Sequence, residues 1–117
     1  MSYQSFENLE VWKRSCRLSL EVMEQLINCK NYPLKDQMTR ASISIPSNIA
    51  EGQERDYPQD FIRFLRIAKG SCGELRTQLY LAIKSNNITS SIGTKFIAET
   101  KEISSMLQGL IRSIQAA

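Results

Sequence analysis

The residues best placed for chemistry in this sequence are four cations. Arg63, Arg66, Lys69 and Arg76 fall on one flank of a predicted helix with no acid on the same stripe, and Tyr80 continues that flank. Lysine and arginine neutralise phosphates, which makes nucleic-acid binding dependent on salt. These four residues are the candidate nucleic-acid contacts, and the expected ligand is RNA held through its backbone. For an isolated subunit, an ordinary solvated basic flank is the alternative.

Catalytic chemistry finds little support in the residue types. The sequence contains no histidine, which is the commonest general base and a frequent metal ligand. Ser71 follows a glycine, but a nucleophile elbow also requires a preceding strand and a histidine partner. Cys16, Cys29 and Cys72 lack metal-site spacing, so no zinc site is indicated. We therefore expect no enzyme activity, no catalytic residue, no cofactor and no metal.

A second set of polar residues recurs at helical spacing along the flanks of two predicted helices. Such a set suits either a solvated, salt-bridged surface or a polar network between helices or between subunits. In a network every buried polar group must be paired, and that requirement would fix the register of the helices. The residues are Arg40, Asn48, Glu51, Arg55, Ser71, Glu74 and Gln78.

Apolar residues at steps of three and four predict the helices that position these side chains. We expect helices at about 7–28, at 33 to about 52–55, from 58 to the turn at 84–91, and from that turn to the end. Pro33 and Pro58 suit the first position of a helix. The predicted fold class is all-α: an up-down-up-down antiparallel four-helix bundle in a single domain, 1–117, with a short disordered tail at 1–5.

Surplus apolar residues on two of the helices predict an oligomer. In the first helix, one stripe of apolar residues is assigned to the core: Leu9, Trp12, Cys16, Leu20, Met23 and Ile27. The second helix contains Pro46, whose cost of about 3 kcal/mol inside a helix must be offset by packing. Apolar residues left over once a core is filled usually mark an interface. Those expected between subunits are Val11, Leu18, Val22, Ile43, Pro46 and Ala50.

The third helix shows the most regular core pattern, and two glycines interrupt it. Gly70 and Gly73 each cost about 1 kcal/mol relative to alanine in a helix interior. We expect a neighbouring helix to approach closely at these two positions.

Composition narrows the setting in which the protein works. The chain has a net charge of +3 and 42% hydrophobic residues, which permits RNA binding and a packed core. No apolar run approaches the roughly 20 residues that span a bilayer, and no signal-like stretch opens the sequence. Three cysteines without a pairing pattern are typical of a reducing compartment. We expect a soluble cytoplasmic protein with no membrane association.

Nearly the whole chain resembles a known family. The similarity is carried by segments 6–12, 37–52, 64–75 and 106–111, and above all by Ser-Ile-Pro-Ser-Asn-Ile-Ala-Glu-Gly at 44–52. On these residues the chain is similar to the four-helix-bundle proteins encoded within 23S rRNA intervening sequences. The resemblance implies a homopentameric ring with no established molecular role. A more remote resemblance, to accessory proteins of diversity-generating retroelements, implies the alternative of a nucleic-acid-binding partner for a reverse transcriptase.

Overall fold

Helices account for nearly all of the chain. The computed structural model describes residues 5–117. A short 3₁₀ helix, Phe6–Asn8, precedes four α-helices: α1 (Glu10–Gln25), α2 (Tyr32–Glu54), α3 (Pro58–Lys84) and α4 (Ser90–Ala116). Residues 5–117 contain no strand, so the predicted all-α class is confirmed. Most of the predicted tail at 1–5 lies outside the described residues, and Ser5 caps the 3₁₀ helix by accepting a hydrogen bond from the Glu7 backbone N–H.

The helix boundaries follow from local chemistry that the sequence displays. The Asn31 side chain accepts a hydrogen bond from the Leu34 N–H at the start of α2, and Thr89 does the same for Ile92 at the start of α4. Pro33 and Pro58 occupy the first turns of α2 and α3, as predicted. The first helix is shorter than expected because the extended backbone at Leu9 separates the 3₁₀ helix from α1.

Each α-helix packs against two of the others, and the contacts run α1 to α2, α2 to α3, α3 to α4 and α4 back to α1. The diagonal pairs, α1 with α3 and α2 with α4, make no such contact within the described residues. The body measures 49 × 19 × 19 Å, which is one helix length by two helix widths. This arrangement is a four-helix bundle, and it places the α1–α2 side opposite the α3–α4 side.

The core confirms the predicted inner stripe of α3 and corrects that of α1. Leu65, Cys72 and Leu79 are fully buried, as the regular spacing on α3 predicts. On α1, however, Leu18 is 1% exposed whereas Leu20 is 63% exposed. The stripe expected at a subunit interface is therefore the core stripe, and part of the stripe expected in the core lies on the surface.

Two serines explain why the sequence pattern predicts the wrong core stripe for α1. Ser15 and Ser19 are buried among the core residues of this helix. Their hydroxyl groups donate to backbone carbonyls, Ser15 to Val11 in its own helix and Ser19 to Ser42 in α2. Because these hydrogen bonds satisfy the buried hydroxyl groups, serines can occupy core positions, and they interrupt the apolar periodicity of the helix.

Pro46 lies inside α2, and a side chain of α1 supplies the hydrogen bond that the proline nitrogen cannot donate. A proline cannot give the backbone hydrogen bond that the carbonyl four residues earlier would accept, which here is the carbonyl of Ser42. The Ser19 hydroxyl donates to that oxygen at 2.6 Å. The cost that proline imposes on α2 is thus reduced by a hydrogen bond that also fixes the register of α1 against α2.

The glycines of α3 do not mark a close helix approach within this chain. A methyl group at Gly70 or Gly73 would meet nothing within 4 Å, so that prediction is wrong for the subunit. The close approach occurs instead at Gly52 of α2, where a Cβ atom would lie 2.7 Å from the Cβ atom of Phe64. None of the helices in residues 5–117 is long and apolar enough to cross a membrane.

Candidate nucleic-acid interface

The seam between α3 and α4 is bridged by two of the predicted nucleic-acid contacts. Lys69 donates from Nζ to the Gln108 side-chain oxygen at 2.7 Å, and Arg76 donates from Nε to the Thr100 hydroxyl oxygen at 3.0 Å. Both side chains are half-buried. These two contacts show the antiparallel register of the helices, and in that register Lys101, the residue after Thr100, lies near the level of Arg76.

Three further cations of this surface escaped the sequence analysis. Lys101 and Arg112 belong to α4, and because they are eleven residues apart, close to three full turns, they share one side of that helix. The register places Arg112 near the level of Arg66 on α3. Lys84 extends the α3 row at its carboxyl end. The spacing of Lys101 and Arg112 was the available signal, but the pairing of α3 with α4 was needed to interpret it.

These six residues form a surface that we call the basic α3–α4 face. Four of them are exposed, and within residues 5–117 their side chains have no hydrogen-bond or ion-pair partner: Arg66, Lys84, Lys101 and Arg112. The other two, Lys69 and Arg76, form the seam. The four unpaired cations are therefore free to meet an anion without first breaking a contact inside the protein.

The acids of α3 and α4 lie on other sides of their helices. Glu99 forms a two-point ion pair with Arg14 of α1, with nitrogen–oxygen distances of 2.6 and 3.0 Å. Glu102 also approaches Arg14. On α3, Asp60 approaches Arg63, and Glu74 follows one turn after Ser71 on the side that turns toward α2. As a result, no Asp or Glu among residues 5–117 occupies the basic α3–α4 face.

Arg63 stands apart from the other predicted nucleic-acid contacts. Its guanidinium lies 4.6 Å from the ring centre of Phe64, which also receives Arg55 at 4.9 Å, and it approaches Asp60 at 3.7 Å. Phe64 packs toward Gly52 of α2, so these interactions draw Arg63 away from α4. The structure brings together Arg66, Lys69 and Arg76 and separates Arg63 from them.

Only part of the predicted polar network forms between α2 and α3 of one subunit. The hydroxyl groups of Ser44 and Ser71 lie 2.9 Å apart, and Asn48 donates to the Ser44 side chain and carbonyl. Gln78 is buried nearby on α3, and its side-chain oxygen has no partner among the described residues. Ser44, which joins the two helices, lies on the same polar flank of α2 at helical spacing but was not included in the predicted network.

The charged members of the predicted network form a solvated helix surface instead. Arg40 pairs with Asp36 within α2, and Arg55, which caps the end of that helix, pairs with Glu51, each at 3.0 Å; all four side chains are exposed. Glu74 is exposed on α3. Exposed pairs of this kind contribute little to stability, typically about 0.3–0.5 kcal/mol.

The residues predicted at the subunit interface fall into two groups, one buried in the core and one at the surface. Val11, Leu18, Val22 and Pro46 are buried in the core of the subunit and are not available to a partner, so that part of the prediction is wrong. Ile43 is 43% exposed and Ala50 is half-buried, and both stay candidates.

A different set of side chains joins Ile43 and Ala50 on the surface. Leu20 and Ile27 of α1 are 63% and 64% exposed. Three half-buried residues, at helical spacing on the same side of α1, adjoin them: Trp12, Cys16 and Met23. We call this surface, with Ile43 and Ala50 of α2, the apolar α1–α2 face. None of these seven residues is charged.

The Cys16 and Cys72 thiols have the properties of packed side chains. Burial raises the pKa of Cys72 to about 12, with a partly opposing effect from the positive charge of Arg76, and burial also raises the pKa of Cys16. A raised pKa disfavours the nucleophilic thiolate at neutral pH. Among the described residues no group of three or more His, Cys, Asp or Glu side chains is arranged to hold a metal ion.

Comparison with known proteins agrees with this architecture. The profile of a family described as 23S rRNA-intervening sequence protein matches residues 7–109. A crystal structure from Bacteroides thetaiotaomicron VPI-5482, described as a protein of unknown function from the S23 ribosomal protein family, superimposes with a TM-score of 0.81 and 26% identity. The match covers 86% of this chain and 97% of that one. No functionally curated protein matches the sequence.

Proposed function

Because this chain belongs to the 23S rRNA-intervening sequence protein family, we propose that it is a non-enzymatic, homo-oligomeric protein that binds RNA through the basic α3–α4 face. The observation that carries the proposal is a surface that, in the part of the chain that the structure describes, has six cations and no acid, with four of those cations exposed and unpaired. Phosphate contacts of this kind supply affinity without reading sequence.

Self-association would turn a weak contact into an effective one. The apolar α1–α2 face exposes three large apolar side chains, each about half exposed, so covering each is worth about half of the roughly 1.5–3 kcal/mol that full burial contributes. A second copy of the chain is the occupant we propose. Since the basic α3–α4 face lies on the opposite side of the bundle, it stays outside in such an assembly. Several copies then act on one RNA through their high effective concentration.

An RNA titration at two salt concentrations tests the binding function. If each subunit places about four cations on phosphates, affinity per subunit should fall about a hundredfold between roughly 50 and 200 mM salt. The double variant Arg66→Glu with Lys101→Glu should weaken binding at low salt by at least about tenfold and lower the salt slope by about two.

A matched control separates the face from net charge. Arg17→Glu with Lys30→Glu changes the total charge equally at exposed positions outside the basic α3–α4 face. It should leave binding within about threefold of the wild type, since it keeps all the phosphate contacts proposed here. Absence of RNA binding at low salt, or equal weakening by both double variants, would contradict the proposal.

The mass in solution tests the assembly. The wild-type chain should sediment as an oligomer, and Leu20→Glu should convert it to a folded monomer because a charge cannot be buried unpaired in an apolar contact. Arg66→Glu, on the opposite face, should keep the oligomer. A wild-type chain that sediments as a monomer at micromolar concentration would remove the multivalent part of the proposal.

A further inference from the structure

The basic α3–α4 face has few aromatic groups on which an unpaired base could stack. Tyr80 of α3, 49% exposed, is the one aromatic side chain among the described residues of this face. Proteins that hold single strands without sequence preference combine a basic groove with successive aromatic platforms, each worth roughly tenfold or more in affinity. One tyrosine beside six cations is a different balance, in which charge dominates and stacking contributes little.

The cations of this face are also arranged in two lines. On α3 they extend from Arg66 to Lys84, which is about 27 Å at the helical rise per residue. On α4, Lys101 and Arg112 run alongside in the opposite direction, and packed helix axes are about 8–10 Å apart. The hydrogen bonds of Lys69 and Arg76 tie the two helices together and hold the lines in register. The face therefore presents positive charge in two rows whose backbone positions are fixed by the helices.

Two rows of charge with few aromatic groups between them favour a ligand whose phosphates are dense and regularly placed. Each phosphate contact contributes a salt slope of about 0.9 on duplex DNA and about 0.7 on single strands, because a duplex releases more condensed counterions. Double-stranded RNA is recognised mainly through its shape, its phosphates and its 2′-hydroxyl groups. Its bases are already paired and stacked, so it requires no aromatic platform from the protein.

On these grounds we infer that the RNA bound by the basic α3–α4 face is double-stranded, with the two rows of cations lying against its phosphates. This inference rests on the proposed function, since it concerns the ligand of the same face. It assigns Arg66, Lys84, Lys101 and Arg112 to phosphate contacts and gives Tyr80 no part in binding. Sequence preference should be weak, because these contacts do not reach base edges.

Binding of matched probes tests this inference. The probes are a blunt RNA duplex of about 16 base pairs, a length that double-stranded RNA-binding domains span, and each of its strands alone, with unstructured sequences and equal phosphate concentrations. The wild-type protein should bind the duplex at least about tenfold more tightly than either strand at about 100 mM salt. Tyr80→Leu should leave duplex affinity unchanged within about twofold, and Arg66→Glu should weaken it by at least about fivefold.

The outcomes separate the inference from the function on which it rests. Equal or tighter binding of the single strands overturns the duplex assignment and leaves RNA binding in place. A loss of about fivefold or more with Tyr80→Leu does the same, because it reveals stacking. If the wild-type protein binds neither probe at low salt, the proposed function itself fails, and the inference fails with it.

Discussion

The apolar α1–α2 face and the basic α3–α4 face lie on opposite sides of one bundle and differ in how they meet water. Leu20 and Ile27 are more than half exposed, so covering them with another apolar surface is favourable. Arg66 and Lys101, in contrast, are exposed to water and repel other positive charges. Each helix packs one stripe of residues into the core, so the residues on its other sides can differ in polarity. The contrast predicts an assembly that hides one face and displays the other.

The position of the acids sharpens this contrast. Glu99 and Glu102 lie on the side of α4 that turns toward α1, where Arg14 pairs with them. Hydrogen bonding to Glu99 raises the pKa of Arg14, which indicates that the charged guanidinium and the carboxylate stabilise each other. Because the acids are held at the α1–α4 seam, the other side of α4 presents Lys101 and Arg112 without compensation.

The largest expected effect comes from two leucines of α1 that lie two residues apart. Leu18→Ala should lower the free energy of unfolding by about 2–5 kcal/mol at every protein concentration, because it opens a cavity in the subunit core. Leu20→Ala should lower it only at concentrations where the chain assembles. Urea unfolding followed by circular dichroism over a hundredfold concentration range makes the comparison. Equal losses at high dilution would show that Leu20 belongs to the core after all.

A smaller effect is expected where α1 supports the proline of α2. Ser19→Ala should cost about 1–3 kcal/mol, because the buried carbonyl of Ser42 loses its hydrogen bond and Pro46 cannot replace it. Ser15→Ala is the matched control, since the Ser15 hydroxyl donates to Val11 within its own helix. Thermal or urea unfolding of both variants measures the difference. A Ser19→Ala cost no larger than that of the control would mean that the Ser42 carbonyl is satisfied in another way.

A third prediction concerns the buried thiol of α3, on the core side of the basic α3–α4 face. Burial raises the pKa of Cys72 to about 12 in the folded chain, from an ordinary value near 9.0. Below pH 9 both states keep the proton and stability is unaffected. Above it the unfolded chain releases a proton that the folded chain retains, so stability falls with rising pH, by at most about 1.4 kcal/mol per pH unit.

Urea unfolding at intervals from pH 8 to pH 10 measures this dependence. Cys72→Ala lowers stability at all pH values because it leaves a cavity, but its stability should decline less steeply with pH than that of the wild type. Parallel declines in the two proteins would show that Cys72 does not titrate differently on unfolding.

How far the sequence predicts this molecule depends on how many apolar stripes a helix carries. On α3 the apolar residues form a single regular stripe, and its members Cys72 and Leu79 are buried, so the predicted core side of this helix is confirmed. On α1 two stripes compete, and serines within the true core stripe weaken its periodicity. No local pattern distinguishes Leu18 from Leu20, because the choice is made by the partner helix.

The candidate site shows the same limit at longer range. Arg66, Lys69 and Arg76 were predictable because they share one helix. Lys101 and Arg112 join them only through the register of α3 against α4, which depends on packing along both helices. Arg63 does not belong to the basic α3–α4 face, because its guanidinium lies against the Phe64 ring and approaches Asp60. Helical spacing predicts the side of a helix on which a residue lies, and neighbouring side chains decide where its long side chain goes.

Lysine footprinting tests the central claim most directly, because it reports where RNA lies on the folded protein. The wild-type protein is acetylated briefly with and without a saturating RNA duplex at the same protein concentration, and modification at each lysine is measured by mass spectrometry. Lys84 and Lys101 should be protected by RNA, whereas Lys13 and Lys30, which are also exposed but lie on other parts of the bundle, should react as before. Protection of Lys13 and Lys30 with no change at Lys84 and Lys101 would contradict the assignment of the basic α3–α4 face.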